Sequence, residues 1–149
     1  MVEKKIQAEC IKWFRNEYLD ILISDGLIDN EKAKYLRMLF HGNQNELPMF
    51  LEKHLSYKGI TILKAWVGNL KSMGLMSGVA DTSMKIPVFY EGEAFNFVEI
   101  EFKTKRKGHD QSDRQKTYQE AVKSVGGLYV VIRSIPDFKA FINSLILRV

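Results

Sequence analysis

Cysteine is nearly absent from this sequence: Cys10 stands alone among 149 residues. A lone thiol closes no internal disulfide, which fits a reducing compartment, and it excludes zinc fingers and ribbons built on paired cysteines. A long apolar run is also missing. A membrane-spanning helix needs about 20 consecutive apolar residues, and the longest candidates here are broken by charge. The opening Met1-Val2-Glu3-Lys4-Lys5 leads into an amphipathic segment carrying Glu9, Lys12 and Arg15, which does not read as a secretory signal. The expectation is a cytoplasmic protein, neither secreted nor bound to a membrane. No internal repeat or low-complexity linker divides the chain, so a single domain over residues 1–149 is expected. His41, His54 and His109 show no metal-ligand spacing to one another, and neither a Walker lysine motif nor a His-Asn-His nuclease arrangement is present. No Ser/His/Asp set stands out for acyl transfer.

What is present is an ordinary globular composition, 46% hydrophobic and 27% charged, with a net charge of +4. That charge allows an anionic partner without demanding one, so its distribution matters more than its total. The densest basic stretch, Lys103-Thr104-Lys105-Arg106-Lys107, taken alone reads as a solvated loop. Apolar residues at Ile6, Cys10, Trp13, Phe14, Tyr18 and Ile21 have helical spacing from Glu3 to about Leu22. A helical piece near Glu31–Arg37, a short strand around Met38–His41 and a loop from Gly42 to Asn45 follow. A second helix is expected from Ile60 to Ser72, with Ile62, Leu63, Trp66 and Leu70 inward and Gly74 as its stop. Ile86–Tyr90 and Ala94–Lys103 read as a hairpin turned at Glu91-Gly92-Glu93. Ser112-x-x-Gln115 opens a helix in capping-box form, running to Val125. Gly126-Gly127 ends it, Leu128–Ile132 is a strand, and Pro136 opens a last helix reaching Leu147. This order predicts an α/β domain with a central mixed β-sheet flanked by helices.

The strand ending at Lys103 alternates: Phe97, Glu99, Glu101 and Lys103 share one face, Val98, Ile100 and Phe102 the other. Side chains two apart on a strand stand roughly 7 Å apart at their roots, so Glu101 and Lys103 can address one bound ion and its water. The Phe102 carbonyl is a further hard oxygen. Carboxylates, carbonyls and water suit Mg²⁺ or Mn²⁺, which phosphoryl chemistry uses to polarise a phosphate. Lys103 can orient or help deprotonate an attacking water. Glu-x-Lys alone usually marks a solvated strand face. Asp81, after Gly78-Val79-Ala80, alone reads as a turn aspartate. Glu9 lies about 40° around the helix from Trp13 and borders its apolar face.

Together these elements form a recognisable order. Glu9 on a first helix, Gly78-Val79-Ala80-Asp81, Glu101-Phe102-Lys103-Thr104 and Ser112-x-x-Gln115 resemble the virus-type replication-repair nuclease (VRR-NUC) domain of the PD-(D/E)XK nuclease superfamily. The resemblance extends to Leu39-Phe40-His41-Gly42-Asn43, Met73-Gly74 and Gly127-Leu128-Tyr129-Val130-Val131. Residues 24–36 and 44–59 match poorly. The resemblance implies a restriction-endonuclease-like core and Mg²⁺- or Mn²⁺-dependent cleavage of DNA. Asp81, Glu101 and the Phe102 carbonyl would be metal ligands, Lys103 the catalytic lysine, Glu9 an added acidic ligand or water orienter, and Gln115 a supporting residue. Ala80 stands where the family often has proline, and Glu99 is a second acid that competes with Glu101 for the ligand role. Lys105, Arg106 and Lys107, with Arg114 and Lys116, would hold the DNA backbone. Short stand-alone members imply a homodimer acting on branched DNA, a Holliday junction or flap, in a bacterial cell or a phage-infected host. A nicking or restriction-like endonuclease and a catalytically silent DNA-binding module are the alternatives. Leu27, Ile28, Leu36, Phe50, Leu51 and Leu55 are apolar material for either the dimer interface or the monomer's own core.

Overall fold

The apolar spacing of the opening residues builds a helical run that carries most of one side of the core. In the computed structural model, residues 2–43, 56–72, 79–105 and 110–149 are described. Helix α1 (Glu3–Trp13) buries Ile6 and Cys10. It passes without a break through a π-helical turn, Phe14–Tyr18, into α2 (Leu19–Ser24). The wider turn uses its carbonyls differently from an α-helix, and Arg15 O accepts from Arg37 Nε at 3.0 Å. Arg37 belongs to α3 (Asn30–Leu39), whose N-cap Asp29 accepts from the Lys32 amide. That cap and buried Ala33 and Leu36 carry the helix to Leu39. The expected strand consequently starts later, as β1 (Phe40–Gly42). The loop expected beyond Asn43 lies outside the described residues.

Helix α4 (Tyr57–Ser72) forms as expected but packs less. Leu63 is buried, whereas Ile62 is 70% and Trp66 41% exposed, which corrects their inward assignment. The Leu70 side chain, Met73-Gly74 and Gly78 lie outside the described residues. The remaining elements are β2 (Thr82–Met84), β3 (Val88–Tyr90), β4 (Glu93–Phe95), β5 (Phe97–Phe102), α5 (Asp113–Ser124), β6 (Gly127–Ile132), α6 (Ile135–Ser144) and β7 (Ile146–Leu147).

The main sheet has the order β1-β2-β5-β6. β1, β2 and β5 are successively antiparallel, and β6 joins β5 in parallel after the crossover through α5. A second sheet, β4-β3-β7, stands apart. The expected hairpin is therefore real at Glu91-Gly92 but its second arm divides. Glu93–Phe95 stays with β3, and after Asn96 the chain switches into the main sheet as β5. Two strands departed from expectation. β2 carries a short mixed sequence with no alternation to read, and β7 is a two-residue strand pairing with β3 where a helix end was expected.

One face of the main sheet, with Val98, Ile100 and Phe102, packs against α1 and α6 in a fully buried cluster. Phe40 lies at its centre, with ring centroids 4.9 Å from Phe14 and 6.0 Å from Phe138. The other face is covered by α5 through Val122 and Tyr118, against Ala80 and Tyr129. Close approach of α5 explains Gly127: a Cβ there would lie 2.5 Å from the Phe97 ring and 2.6 Å from Val122. The presumed solvated face of β5 is thus roofed, and Glu99 and Glu101 are both buried.

Candidate active site

Strand register brings the two acids together. Thr82 pairs with Ile100 across the antiparallel β2–β5 ladder, and one further rung sets Asp81 opposite Glu101. Directly opposed residues have Cβ atoms about 4.5–5.5 Å apart. Asp81 Oδ2 accepts from the Phe102 amide at 2.8 Å, locking the aspartate to the end of β5. Its carbonyl accepts from the Asn43 amide at 2.7 Å and from Gln7 Nε2 at 3.5 Å. The Asn43 side chain also donates to Ala80 O at 2.8 Å and reaches Ser83 Oγ at 3.0 Å, so the turn carrying Asp81 is held from β1.

Glu101 is 2% exposed. Its Oε1 accepts from Gln115 Nε2 at 2.5 Å and pairs with Lys103 Nζ at 3.3 Å. Its Oε2 is buried with no hydrogen-bond partner among the described residues. Burial, then the neighbouring Asp81 carboxylate, pushes its carboxyl up to about 7, against the opposing pull of Lys103 and of the Asp81 backbone amide. Lys103 is fixed through its backbone, whose amide donates to Ile132 O at 2.9 Å. Gln115 serves two purposes at once. Its Oε1 accepts from the Ser112 amide and its own amide donates to Ser112 Oγ, completing the capping box, while its Nε2 holds Glu101.

Glu99, the rival ligand, is occupied elsewhere. Oε2 accepts from Ser83 Oγ at 2.8 Å and Oε1 from the Tyr118 hydroxyl at 3.3 Å. Burial raises its pKa, with both hydrogen bonds opposing. Glu9 is exposed on α1 and makes no hydrogen bond or ion pair with this cluster among the described residues. The α1 side chains that do reach it are Glu3, whose Oε1 accepts from the Thr104 amide at 3.4 Å, and Gln7. Glu3 and Gln7 are spaced i, i+4 and share one side of the helix. Gly42 lets Gln7 in: a Cβ there would meet Gln7 Nε2 at 3.1 Å. Sequence reasoning chose the acid beside Trp13; the helical spacing alone does not single out Glu3 and Gln7, which only their contacts with Thr104 and Asp81 mark.

Lys105, Arg114 and Lys116 are exposed beside the site, on the segment after β5 and the first turn of α5. Arg106 and Lys107 lie outside the described residues. Arg133 ties down the start of that segment, donating to Thr104 O at 2.8 Å, and reaches Asp110 at 3.4 Å. Among the described residues no three His, Cys, Asp or Glu side chains converge on one point. The oxygen set at the cluster is Asp81 and Glu101, with the Phe102 carbonyl at the same strand end.

No family model matches the sequence, and no curated protein matches it. A solved structure described as a VRR_NUC domain protein superposes on 97% of this chain and 90% of its own, with a TM-score of 0.59 at 15% identity. The chain has that fold, a mixed sheet flanked by helices in the restriction-endonuclease-like arrangement. No helix among the described residues is long and apolar enough to cross a membrane.

Proposed function

We propose that this protein is a metal-dependent nuclease that hydrolyses DNA phosphodiesters, acting on branched DNA such as a Holliday junction or flap, as a homodimer. The observation that carries the reading is the orphaned, buried Oε2 of Glu101 opposite Asp81. A buried carboxylate oxygen without a donor costs about 1–3 kcal/mol or more unless a cation or water satisfies it. Mg²⁺ and Mn²⁺ fit this donor set, because hard cations of this kind are commonly held by one or two carboxylates with waters filling the rest. Asp81, Glu101 and the Phe102 carbonyl would hold the cation, which when bound polarises the scissile phosphate and lowers the pKa of its water.

The chain's own residues supply the rest. Gln115 fixes the rotamer of Glu101 from above, and Lys103 stands 3.3 Å from the same carboxylate, placed to orient a water or steady charge on the phosphate. Lys105, Arg106 and Lys107, helped by Arg114 and Lys116, would grip backbone phosphates beside the cluster. The fold of the VRR_NUC domain protein supports the reading.

The test is incubation with Mg²⁺ or Mn²⁺ and labelled flaps, forks, four-way junctions, nicked duplex and single strands. Cleavage should require the cation and vanish in Asp81→Asn. Cation binding without cleavage of any substrate would instead favour a silent DNA-binding module. Neutralising two of Lys105, Arg106 and Lys107 should lower the slope of log affinity against log salt by about 0.9 per lost duplex phosphate contact.

A further inference from the structure

A second orphaned group lies on the same roofed face. Tyr129 sits in β6, paired with Glu99 of the parallel neighbour β5, so its side chain shares the face of Glu99 and Glu101. It is 6% exposed, and its hydroxyl has no hydrogen-bond partner among the described residues. Its ring packs against Tyr118 at 6.3 Å between centroids. The Gln111 amide comes near the phenolic oxygen and favours its ionised form, but outside hydrogen-bond geometry, and its nitrogen donates to Gln119 Oε1 at 3.1 Å. After burial, the largest influence on the phenol is the Glu101 carboxylate, with Asp81 also acting on it; together they push the hydroxyl well above its usual range and keep it a donor.

The face therefore holds a donor and an acceptor, Tyr129 Oη and Glu101 Oε2, both buried and both without a hydrogen-bond partner among the described residues. Buried polar atoms are satisfied in all but a few cases, so two on one face point to a shared partner. Other polar side chains on this face, Glu99, Ser83, Asn43 and Tyr118, bond one another and are spent. We propose that Tyr129 is a positioning residue of the Asp81–Glu101 cluster, its hydroxyl donating to a water that bridges to Glu101 and aims the carboxylate at the cation. The inference rests on the proposed metal site and deepens it. Groups that orient a ligand through a hydrogen bond commonly change metal affinity by about 10–100-fold when removed.

The experiment compares wild type with Tyr129→Phe, which deletes only the hydroxyl. Mn²⁺ affinity is read by calorimetry, stability by thermal melting without metal, and KM and kcat on the best DNA substrate. The expected result is about tenfold weaker Mn²⁺ binding and lower kcat, with KM for DNA unchanged and the metal-free melting temperature equal or higher. A residue that merely packs would lower stability and leave Mn²⁺ affinity alone. Equal Mn²⁺ affinity in the two proteins overturns the role of Tyr129 and leaves the metal site standing. Absence of Mn²⁺ binding in wild type overturns the site itself and this role with it. A high-resolution crystal structure gives a second reading: Tyr129 Oη bonded to Gln111 alone, with nothing bridging to Glu101, also overturns the proposal.

Discussion

Glu101 is held in a conflict that the cation would resolve, and the pH dependence of stability should expose it. Its ordinary pKa of 4.5 is raised to about 7 by burial and by Asp81. Between those values the native protein binds more protons than the unfolded chain, so metal-free stability falls as pH rises across the window. The loss is complete above pH 7 and is on the order of 3 kcal/mol, from 1.36 kcal/mol per unit. Glu101→Gln removes the ionisation and should melt at a higher temperature than wild type at pH 8 without metal, and at nearly the same temperature at pH 4. The same variant should lose cleavage. Melting curves at both pH values check this, and a variant no more stable than wild type at pH 8 would contradict the assigned burial cost. Lys103→Ala should keep the fold and bind DNA yet turn over far more slowly; wild-type turnover would remove the lysine from the chemistry. That Glu101 and Lys103 share one face was legible from strand alternation, whereas the choice of Asp81, Glu101 and Lys103 as a site came from the resemblance in their order, since each motif alone reads as an ordinary strand face or turn. Glu3 was not legible: choosing among acids on one helix requires knowing which side meets the strand ends, and only Gly42 and the Thr104 amide reveal it.

At the scale of elements, α5 is both roof and tool, and the two roles separate experimentally. Ser112→Ala removes the cap and should lower stability by about 1 kcal/mol while leaving the pH dependence of cleavage unchanged. Gln115→Glu keeps a residue that serves the capping box equally well but sets a carboxylate where an amide donates to Glu101. Like charges disfavour joint ionisation, so the rise of activity with pH should move to higher pH while the melting temperature at low pH stays put. An unshifted pH–rate profile would mean that the Gln115–Glu101 bond does not matter to the site. The helices α1, α5 and α6 were readable because an apolar period, a capping box and Pro136 are local signals, whereas charged and polar residues interrupt the pattern of α3 and only its middle, Glu31–Arg37, was read. β2 and β7 were not, because strands of three and two residues carry no period, and tertiary pairing alone makes them strands. The division of the hairpin arm at Asn96 was equally missed: the apolar positions shift phase there, from Phe95 and Phe97 to Val98, Ile100 and Phe102, where the partner strand changes.

For the whole molecule the open quantity is how many clusters act together. The fold presents one Asp81–Glu101 cluster per chain, and resolving a four-way junction requires two strands to be cut. A single protomer would have to release and rebind between cuts, with nothing to coordinate them. A twofold pair matches the junction's approximate symmetry and presents two identical sites. The expected interface changes in light of the structure. Leu36 is 1% exposed and belongs to the monomer core, and Ile28 packs half-buried against the same core, so both are withdrawn, while Phe50, Leu51 and Leu55 lie outside the described residues. Leu27 remains 69% exposed, and the packed α2 and α3 also expose Ile21 at 51%, Tyr35 at 50% and Met38 at 68%. Large apolar side chains left out on one helix pair are the kind of surface a second copy covers. Light scattering at micromolar concentration should give about twice the 17.2 kDa of one chain. Leu27→Lys combined with Met38→Lys should shift the mass toward the monomer without lowering the melting temperature of the fold. Mixing wild type with Asp81→Asn protein should then yield heterodimers that nick one strand of a junction without resolving it. A monomeric mass that persists with junction DNA bound would sink the dimer, and paired cuts from such a monomer would require each strand to be cleaved in a separate encounter.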